Sequence, residues 1–340
     1  MNIRSCTLTQ TITFAILALV TSVACPAPSY AGNGIDNPWI AEIDQSEKFD
    51  RILVISDIHG MYRETLLPLL KKQKVIDPFG RWTAGRTLVI ICGDSIDKGS
   101  ESLEVLNFWD SLSRSNEVRD SGGQIIHLLG NHEAEFLATP EKNRKNSDIY
   151  AELTARSIQS GHPNANVSLD GHSPEAKYMA AMPIAAVIGK QRKWLFAHSG
   201  YYPHKLKWDD FSKAVLNLLS VGNYGDKLVI GNDSILEAKD WWKDNGHSKK
   251  LADALLGMHF GGVVFGHQTS ALKAKGQVGA DVDNGIIRVK IDSGMAPVPE
   301  GLGTTGELLE ISRPSDLNGA NFPAMRALSL TGARTLTASH

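Results

Sequence analysis

The chain has 340 residues, 42% hydrophobic and 21% charged, and a formal net charge of −2. That composition is ordinary for a soluble globular protein with a large buried core. The slight acidic excess excludes the basic face of a nucleic-acid-binding protein.

Arg4 precedes an apolar run from Thr11 to Val20, no acidic residue occurs before Asp36, and Ser29 and Ala31 put small residues at −3 and −1 of a cleavage point. This pattern is that of a secretory signal peptide over residues 1–31, so the mature chain is expected to be periplasmic or secreted. The apolar run is shorter than the roughly 20 residues a spanning helix needs, so no membrane span is expected in the mature form. Cys25 follows Ser22-Val-Ala24 and matches a lipoprotein acceptor only weakly. Of Cys6, Cys25 and Cys92, cleavage leaves Cys92 alone, which rules out an internal disulfide in the mature chain. Residues 32–50 read as a polar surface lead-in.

Three strand-loop-helix units follow. Ile52-Leu-Val-Ile-Ser-Asp57-Ile-His59-Gly60, Leu88-Val-Ile-Ile-Cys-Gly93-Asp94-Ser-Ile-Asp97-Lys98-Gly99 and Gln124-Ile-Ile-His-Leu-Leu-Gly130-Asn131-His132-Glu133 each run apolar and then stop at glycine beside polar ligand types. Such runs predict strands buried on both faces, with functional groups just past their carboxyl ends. Asp57 to Asp94 and Asp94 to Asn131 are both 37 residues, enough for a crossover helix and a parallel return. The leucines between Tyr62 and Gln73 predict the first helix, and Ser100 is the expected cap of a second that runs to Leu112.

Residues 141–178 are charged and rich in Asn and Gly, with a helical pattern over 149–158, and read as an insertion over the site. Ile184–Ile188 and Trp194–Ala197 predict a hairpin ending at His198. Helices are expected near 209–219, 236–243 and 248–256. Gly261-Gly-Val-Val-Phe-Gly266-His267 predicts another buried strand ending at a ligand type, and 285–291 and 307–311 predict closing strands. Residues 313–340 read as a weakly ordered tail, leaving one catalytic domain over 51–312.

The residues at these strand ends suit divalent cations, which take carboxylate, imidazole and amide oxygen ligands. Asp57, His59 and Asp94 can hold one ion; Asp94, Asn131, His198 and His267 can hold a second, with Asp94 shared. A pair of ions so held acidifies a bridging water to near-neutral pKa and neutralises a phosphate ester while that hydroxide attacks. His132 stands beside Asn131 where it can protonate the leaving oxygen, with Asp97 fixing its tautomer. His127 reads as a core-edge residue, and His162, His172, His204, His247 and His259 as loop or surface positions. Cys92, inside a strand, reads as a packed thiol.

Five ordered motifs, Ser56-Asp-Ile-His-Gly60, Gly93-Asp-Ser-Ile-Asp-Lys-Gly99, Gly130-Asn-His-Glu133, His198-Ser-Gly200 and Gly266-His267, resemble the signature of calcineurin-like metallophosphoesterases. More narrowly, with Ile291-Asp-Ser-Gly-Met295, they are similar to the phosphoprotein phosphatase branch and its bacterial Shewanella-like group. The resemblance implies an α/β metallophosphoesterase-type layered sheet core flanked by helices, two metal ions (Mn, Fe or Zn), and hydrolysis of phosphoserine, phosphothreonine or phosphotyrosine. It also implies phosphate contacts from Lys98 and Lys239, where relatives usually carry arginines. Lysine keeps the charge but loses the bidentate fork, and Leu129 replaces a further arginine of many relatives. Two other readings stand beside it: a nucleotide or dinucleoside polyphosphate hydrolase on the same scaffold, and a noncatalytic metal- or phosphate-binding protein.

Overall fold

The computed structural model describes residues 37–139, 148–159, 173–203, 205–243 and 245–337. The expected signal peptide lies outside them, as do Cys25, His162, His172, His204 and much of 141–178. Among the described residues no helix is long and apolar enough to cross a membrane.

Among the described residues twelve strands form two six-stranded sheets. One has the order β1 (Ile40–Ile43), β5 (Ala185–Ile188), β6 (Lys193–Ala197), β7 (Phe260–Phe265), β9 (Ile286–Lys290), β8 (Gly279–Asp283). The other runs β12 (Ala333–Thr335), β11 (Met325–Leu328), β10 (Leu308–Ile311), β2 (Arg51–Ile55), β3 (Thr87–Cys92), β4 (Gln124–Leu128). The helices are α1 (Leu67–Lys72), α2 (Ser102–Ser113), α3 (Asn116–Asp120), α4 (Asn131–Ala138), α5 (Asp148–Gln159), α6 (Pro174–Ala180), α7 (Trp208–Ser220) and α8 (Asn245–Gly257).

The period-2 alternation of the strands builds the layers. Ile52 and Val54 of β2, Leu88 and Ile90 of β3, Phe196 of β6 and Val264 of β7 share one cluster, so the two sheets pack face to face. The intervening residues turn outward: Leu53, Ile55, Val89 and Ile91 meet Leu69, Leu70, Val105 and Trp109 under α1 and α2. Leu195, Val263 and Phe265 meet Phe211, Val215 and Leu255 under α7 and α8. Helix, sheet, sheet, helix is the resulting order of layers. Full burial of each such side chain is worth roughly 1.5–3 kcal/mol, and Cys92 is one of the packed residues between the sheets.

β2, β3 and β4 are adjacent and parallel, as their 37-residue spacing predicts. β5 and β6 form the expected hairpin, and β6 and β7 are parallel neighbours. Ligands from β2, β3 and β4 therefore leave one sheet at the same edge, and those from β6 and β7 leave the other.

Several expectations are corrected. The lead-in carries β1, whose apolar Ile40, Ala41 and Ile43 pair in parallel with β5 and are buried. The expected tail carries β11 and β12, which extend the sheet antiparallel from β10. Met325 and Ala327 face the core there, while the intervening Arg326 pairs with Glu310 on the neighbouring strand. The α2 N-cap is Glu101 rather than Ser100. No helix forms over 236–243: one turn closes from Ala238 N–H to the Ser234 carbonyl, and Asp240, at φ +59°, diverts the chain.

Candidate metal and phosphoester site

The site residues stand just past five strand ends: Asp57 and His59 after β2, Asp94, Asp97 and Lys98 after β3, Asn131 and His132 after β4, His198 after β6 and His267 after β7. Asp57, His59, Asp94, Asp97, Lys98 and His267 all have φ between +49° and +65°. Side-chain-bearing residues rarely adopt this left-handed conformation, and a cluster of them marks backbone held in shape by its surroundings for a purpose other than stability. Two glycines allow the approach. A Cβ on Gly130 would strike the backbone and carboxylate of Asp94, and one on Gly266 would strike Ser56 and Asp57.

Glu133 supplies much of the holding. Its fully buried carboxylate accepts the amides of Asp94 (3.0 Å), Ser95 (2.8 Å), Ile96 (3.2 Å) and Gly130 (2.8 Å). The Asp94 loop is thereby locked to the start of α4. Glutamate at the third position of a helix after glycine is a capping signal readable in sequence, although its reach into the Asp94 loop is not.

Asp94 is central. His198 Nε2 lies 3.1 Å from its Oδ2, with His59 Nε2 at 3.7 Å and His132 Nε2 at 4.0 Å, and the His132 amide donates to its Oδ1 (3.1 Å). His198 Nε2 also lies 3.1 Å from Asn131 Oδ1, whose amide nitrogen is turned away to donate to Glu135. Carbonyls fix the far sides of two rings: Cys92 O on His198 Nδ1 (2.7 Å) and Ile96 O on His59 Nδ1 (3.1 Å). Asp57 sits 3.9 Å from His59 and accepts Ser56 Oγ and the His267 amide.

The electrostatics describe a site short of cations. Burial pushes Asp57 up, toward its neutral form. Asp94 stays well below the usual carboxylate range because, against its burial, His198 and His132 surround it with positive charge. His198 shows the converse: burial pulls it down, but Asp94 and Asp57 lift it to about 10. A proton on His198 is thus a stand-in for a cation between Asp94 and Asn131. Burial drives His59 and His267 down to about 3, leaving both rings neutral and fit to donate a lone pair. His267 Nε2 is buried with no hydrogen-bond partner among the described residues, and its ring centroid lies 5.0 Å from that of His198.

His59, Asp94 and His132 bring ligand atoms within 4.8 Å of one another, and so do Asp94, His198 and His267, with Asp94 common to both groups. An orphaned imidazole nitrogen, a stand-in proton and an all-oxygen-and-nitrogen donor set fit a pair of borderline divalent ions sharing Asp94.

His132, like His267 and unlike the buried His59 and His198, is partly open to solvent. Its Nδ1 is 2.9 Å from Asp97 Oδ2. Burial lowers its basicity, but the Asp94 charge and the Asp97 hydrogen bond more than offset this and raise it to about 9. The ring is thus protonated at neutral pH.

The two lysines are placed differently. Lys98 reaches inward, with Nζ 2.8 Å from His59 Nε2. Lys239 is exposed, and its charge is felt at His267.

Residues to which the sequence reading gave no part in the site surround these. Asp292 lies behind Asp57, where burial and the Asp57 charge raise it to about 8. Beside it the fully buried Lys290 ammonium donates to the carbonyls of Thr269, Ala274, Gln277 and Asp292. His127 bridges Ser95 Oγ (2.8 Å) and the Tyr178 hydroxyl (3.0 Å), tying the Asp94 loop to α6.

The calcineurin-like phosphoesterase family model matches residues 50–281. Shewanella-like protein phosphatase 2 of Arabidopsis thaliana is 34% identical over 111 residues, which is 31% of this chain and 28% of that protein. The symmetrical bis(5'-nucleosyl)-tetraphosphatase of Buchnera aphidicola is 28% identical over 195 residues, 54% of this chain and 57% of that one. The chain therefore spans between about a quarter and somewhat over half of these two relatives. In structure, the cold-active protein-tyrosine phosphatase of a psychrophilic Shewanella species superposes with a TM-score of 0.64 at 22% identity, covering 85% of this chain and 81% of that one. That likeness carries the fold.

Proposed function

The chain belongs to the calcineurin-like phosphoesterase family and is a phosphoesterase hydrolase, and from that premise we propose that it is an exported, divalent-metal-dependent phosphomonoesterase acting on phosphorylated protein side chains. Asp57, His59 and Asp94 hold one ion in this reading, and Asp94, Asn131, His198 and His267 the other. When bound, such a pair supplies an acidified water and the positive charge that a phosphoryl group demands. His132 protonates the departing oxygen through Nε2, while Asp97 holds its Nδ1 and so fixes the proton at the working nitrogen. The observation that carries the reading is this Asp97–His132 pair, 2.9 Å apart, beside the shared Asp94. A protein that only bound metal or phosphate has no use for an oriented acid there.

Phosphoprotein is the substrate favoured by the Shewanella-like relative and by the fold shared with a protein-tyrosine phosphatase. Dinucleoside polyphosphate is the second reading. It draws on the tetraphosphatase match, which spans more of this chain than the protein-phosphatase match does. Export rests on the amino-terminal charge and apolar pattern.

Metal-loaded protein assayed on phosphotyrosine and phosphoserine peptides and on diadenosine tetraphosphate decides between them. Preferential peptide turnover supports the first reading, and preferential cleavage of the dinucleotide replaces it with the second. Metal binding without turnover of any of the three leaves the binding protein. Cell fractionation of the full-length chain tests export.

A further inference from the structure

α5 is fastened to the catalytic loop at its amino-terminal end. The Ile149 amide donates to Asp97 Oδ1 (3.2 Å), the carboxylate oxygen that His132 does not use. One residue earlier, Asp148 Oδ2 accepts the Lys98 amide (2.8 Å). One turn later, Glu152 accepts the amides of Ser102 and Leu103, both at 2.9 Å, at the start of α2. Ile149 and Leu153 anchor the helix in the core beside Leu103, Leu106 and Met179, and Arg156 pairs with Glu175 of α6.

The first amides of a helix have no partner within it and carry the positive end of its dipole. Here one of them is spent on a carboxylate whose residue, like Lys98 after it, has φ +65°. Asp97 can present Oδ2 to His132 at one angle only while its other oxygen is held. Released from Ile149, the carboxylate is free to rotate about its terminal torsion, and the His132 ring turns with it.

We infer that the Ile149 amide at the head of α5 is a positioning group for general acid catalysis, setting the Asp97 carboxylate and through it His132. The inference rests on the reading of His132 as the proton donor, and it assigns the helical insertion a part in the reaction.

An alkoxide leaving group such as that of phosphoserine requires a proton, whereas nitrophenolate departs without one, so loss of acid alignment appears as a changed ratio between the two esters. Ile149→Pro removes the N–H at a place in the first turn where proline suits the helix. Ile149→Ala removes the side chain and keeps the N–H. In metal-loaded enzyme, Ile149→Pro is expected to lower the ratio of kcat on phosphoserine to kcat on p-nitrophenyl phosphate about tenfold, in keeping with a small misplacement of a catalytic group. Asp148→Ala, which frees the Lys98 amide, is expected to lower it about threefold. Ile149→Ala, which keeps the amide but opens a cavity beside Leu103 and Met179, is expected to lower it less than Ile149→Pro does. Proline and alanine variants that shift the ratio equally, or an unshifted ratio in both Ile149→Pro and Asp148→Ala, overturn the inference.

A second readout needs no turnover. In metal-free protein the low-field proton resonance of His132 Nδ1–H, sharp while its carboxylate partner is held, broadens in Ile149→Pro and Asp148→Ala and persists in Ile149→Ala. Wild-type protein inactive on both esters overturns the proposed function. A resonance that stays sharp in folded Ile149→Pro or Asp148→Ala overturns the positioning role by itself.

Discussion

His198 Nε2 and Asn131 Oδ1 stand 3.1 Å apart, and the two residues are delivered by different sheets, β6 of one and β4 of the other. The contact exists only while the two sheets are packed on each other, so the site and the inter-sheet core are one cooperative unit. A cation bound there then stabilises the whole fold by mass action, about 2.7 kcal/mol at a concentration 100 times its dissociation constant. Manganese or zinc is expected to raise the thermal midpoint of the purified protein, and chelation to reverse the rise. In Asn131→Ala the rise should be largely lost, measured by scanning calorimetry with and without metal; an equal rise in the variant places the ions elsewhere.

His132→Asn keeps the size of the ring's inner half but cannot carry a proton to the leaving oxygen. The turnover number on phosphoserine is expected to fall by about 10²- to 10⁴-fold, with a much smaller change on p-nitrophenyl phosphate. KM should move little, because the role is confined to the transition state. Steady-state kinetics on the two esters measure this, and an equal loss on both would mark His132 as a metal ligand instead, which its grouping with His59 and Asp94 also permits.

The proposed ligand set was legible in the sequence because each member stands within a few residues of the end of an apolar run, and the structure brings all six of those side chains together. His132 and Asp97, proposed as the acid and its orienting carboxylate, were singled out from the same strand-end loops. Lys290 was not: it sits in an apolar closing strand, and the four carbonyls that enclose its ammonium come from segments whose meeting no local pattern announces. The short strands β1, β11 and β12 escaped because their few apolar residues lie in polar, Gly-, Asn- and Pro-containing segments whose loop signals outweighed them. The hold of α5 on Asp97 escaped because a backbone amide carries no residue identity.

His127 gives the cleanest pH test, since it is no metal ligand. Burial lowers it to about 3 in the folded state, against about 6.5 when exposed. Above pH 6.5 both states are neutral and its contribution is fully present. As pH falls below 6.5 the unfolded chain takes up a proton that the folded chain refuses, so stability is lost progressively toward pH 3. Between pH 6.5 and 5 the loss is about 2 kcal/mol from this residue. Urea unfolding of metal-free protein at the two pH values should show a difference that shrinks by about that amount in His127→Gln. An unchanged difference would mean that His127 is charged in the fold.

Lys98 and His59 oppose each other in a way that separates metal affinity from substrate affinity. The ammonium of Lys98 donates to His59 Nε2 at 2.8 Å, which is the lone pair that a cation beside Asp57 and Asp94 requires. Metal binding must therefore displace Lys98, at the cost of one charge-assisted hydrogen bond, and the displaced amine is then available to phosphate. In Lys98→Met that cost disappears. Divalent-ion affinity should rise about tenfold, corresponding to about 1.4 kcal/mol, as read by titration calorimetry on the apoprotein. KM for a phosphoester should rise at the same time, because the positive charge is gone. Lys98→Arg should recover the KM, since its fork grips two phosphate oxygens where an ammonium grips one. Weaker metal binding in Lys98→Met would show instead that the lysine supports the His59 ring and does not compete for it.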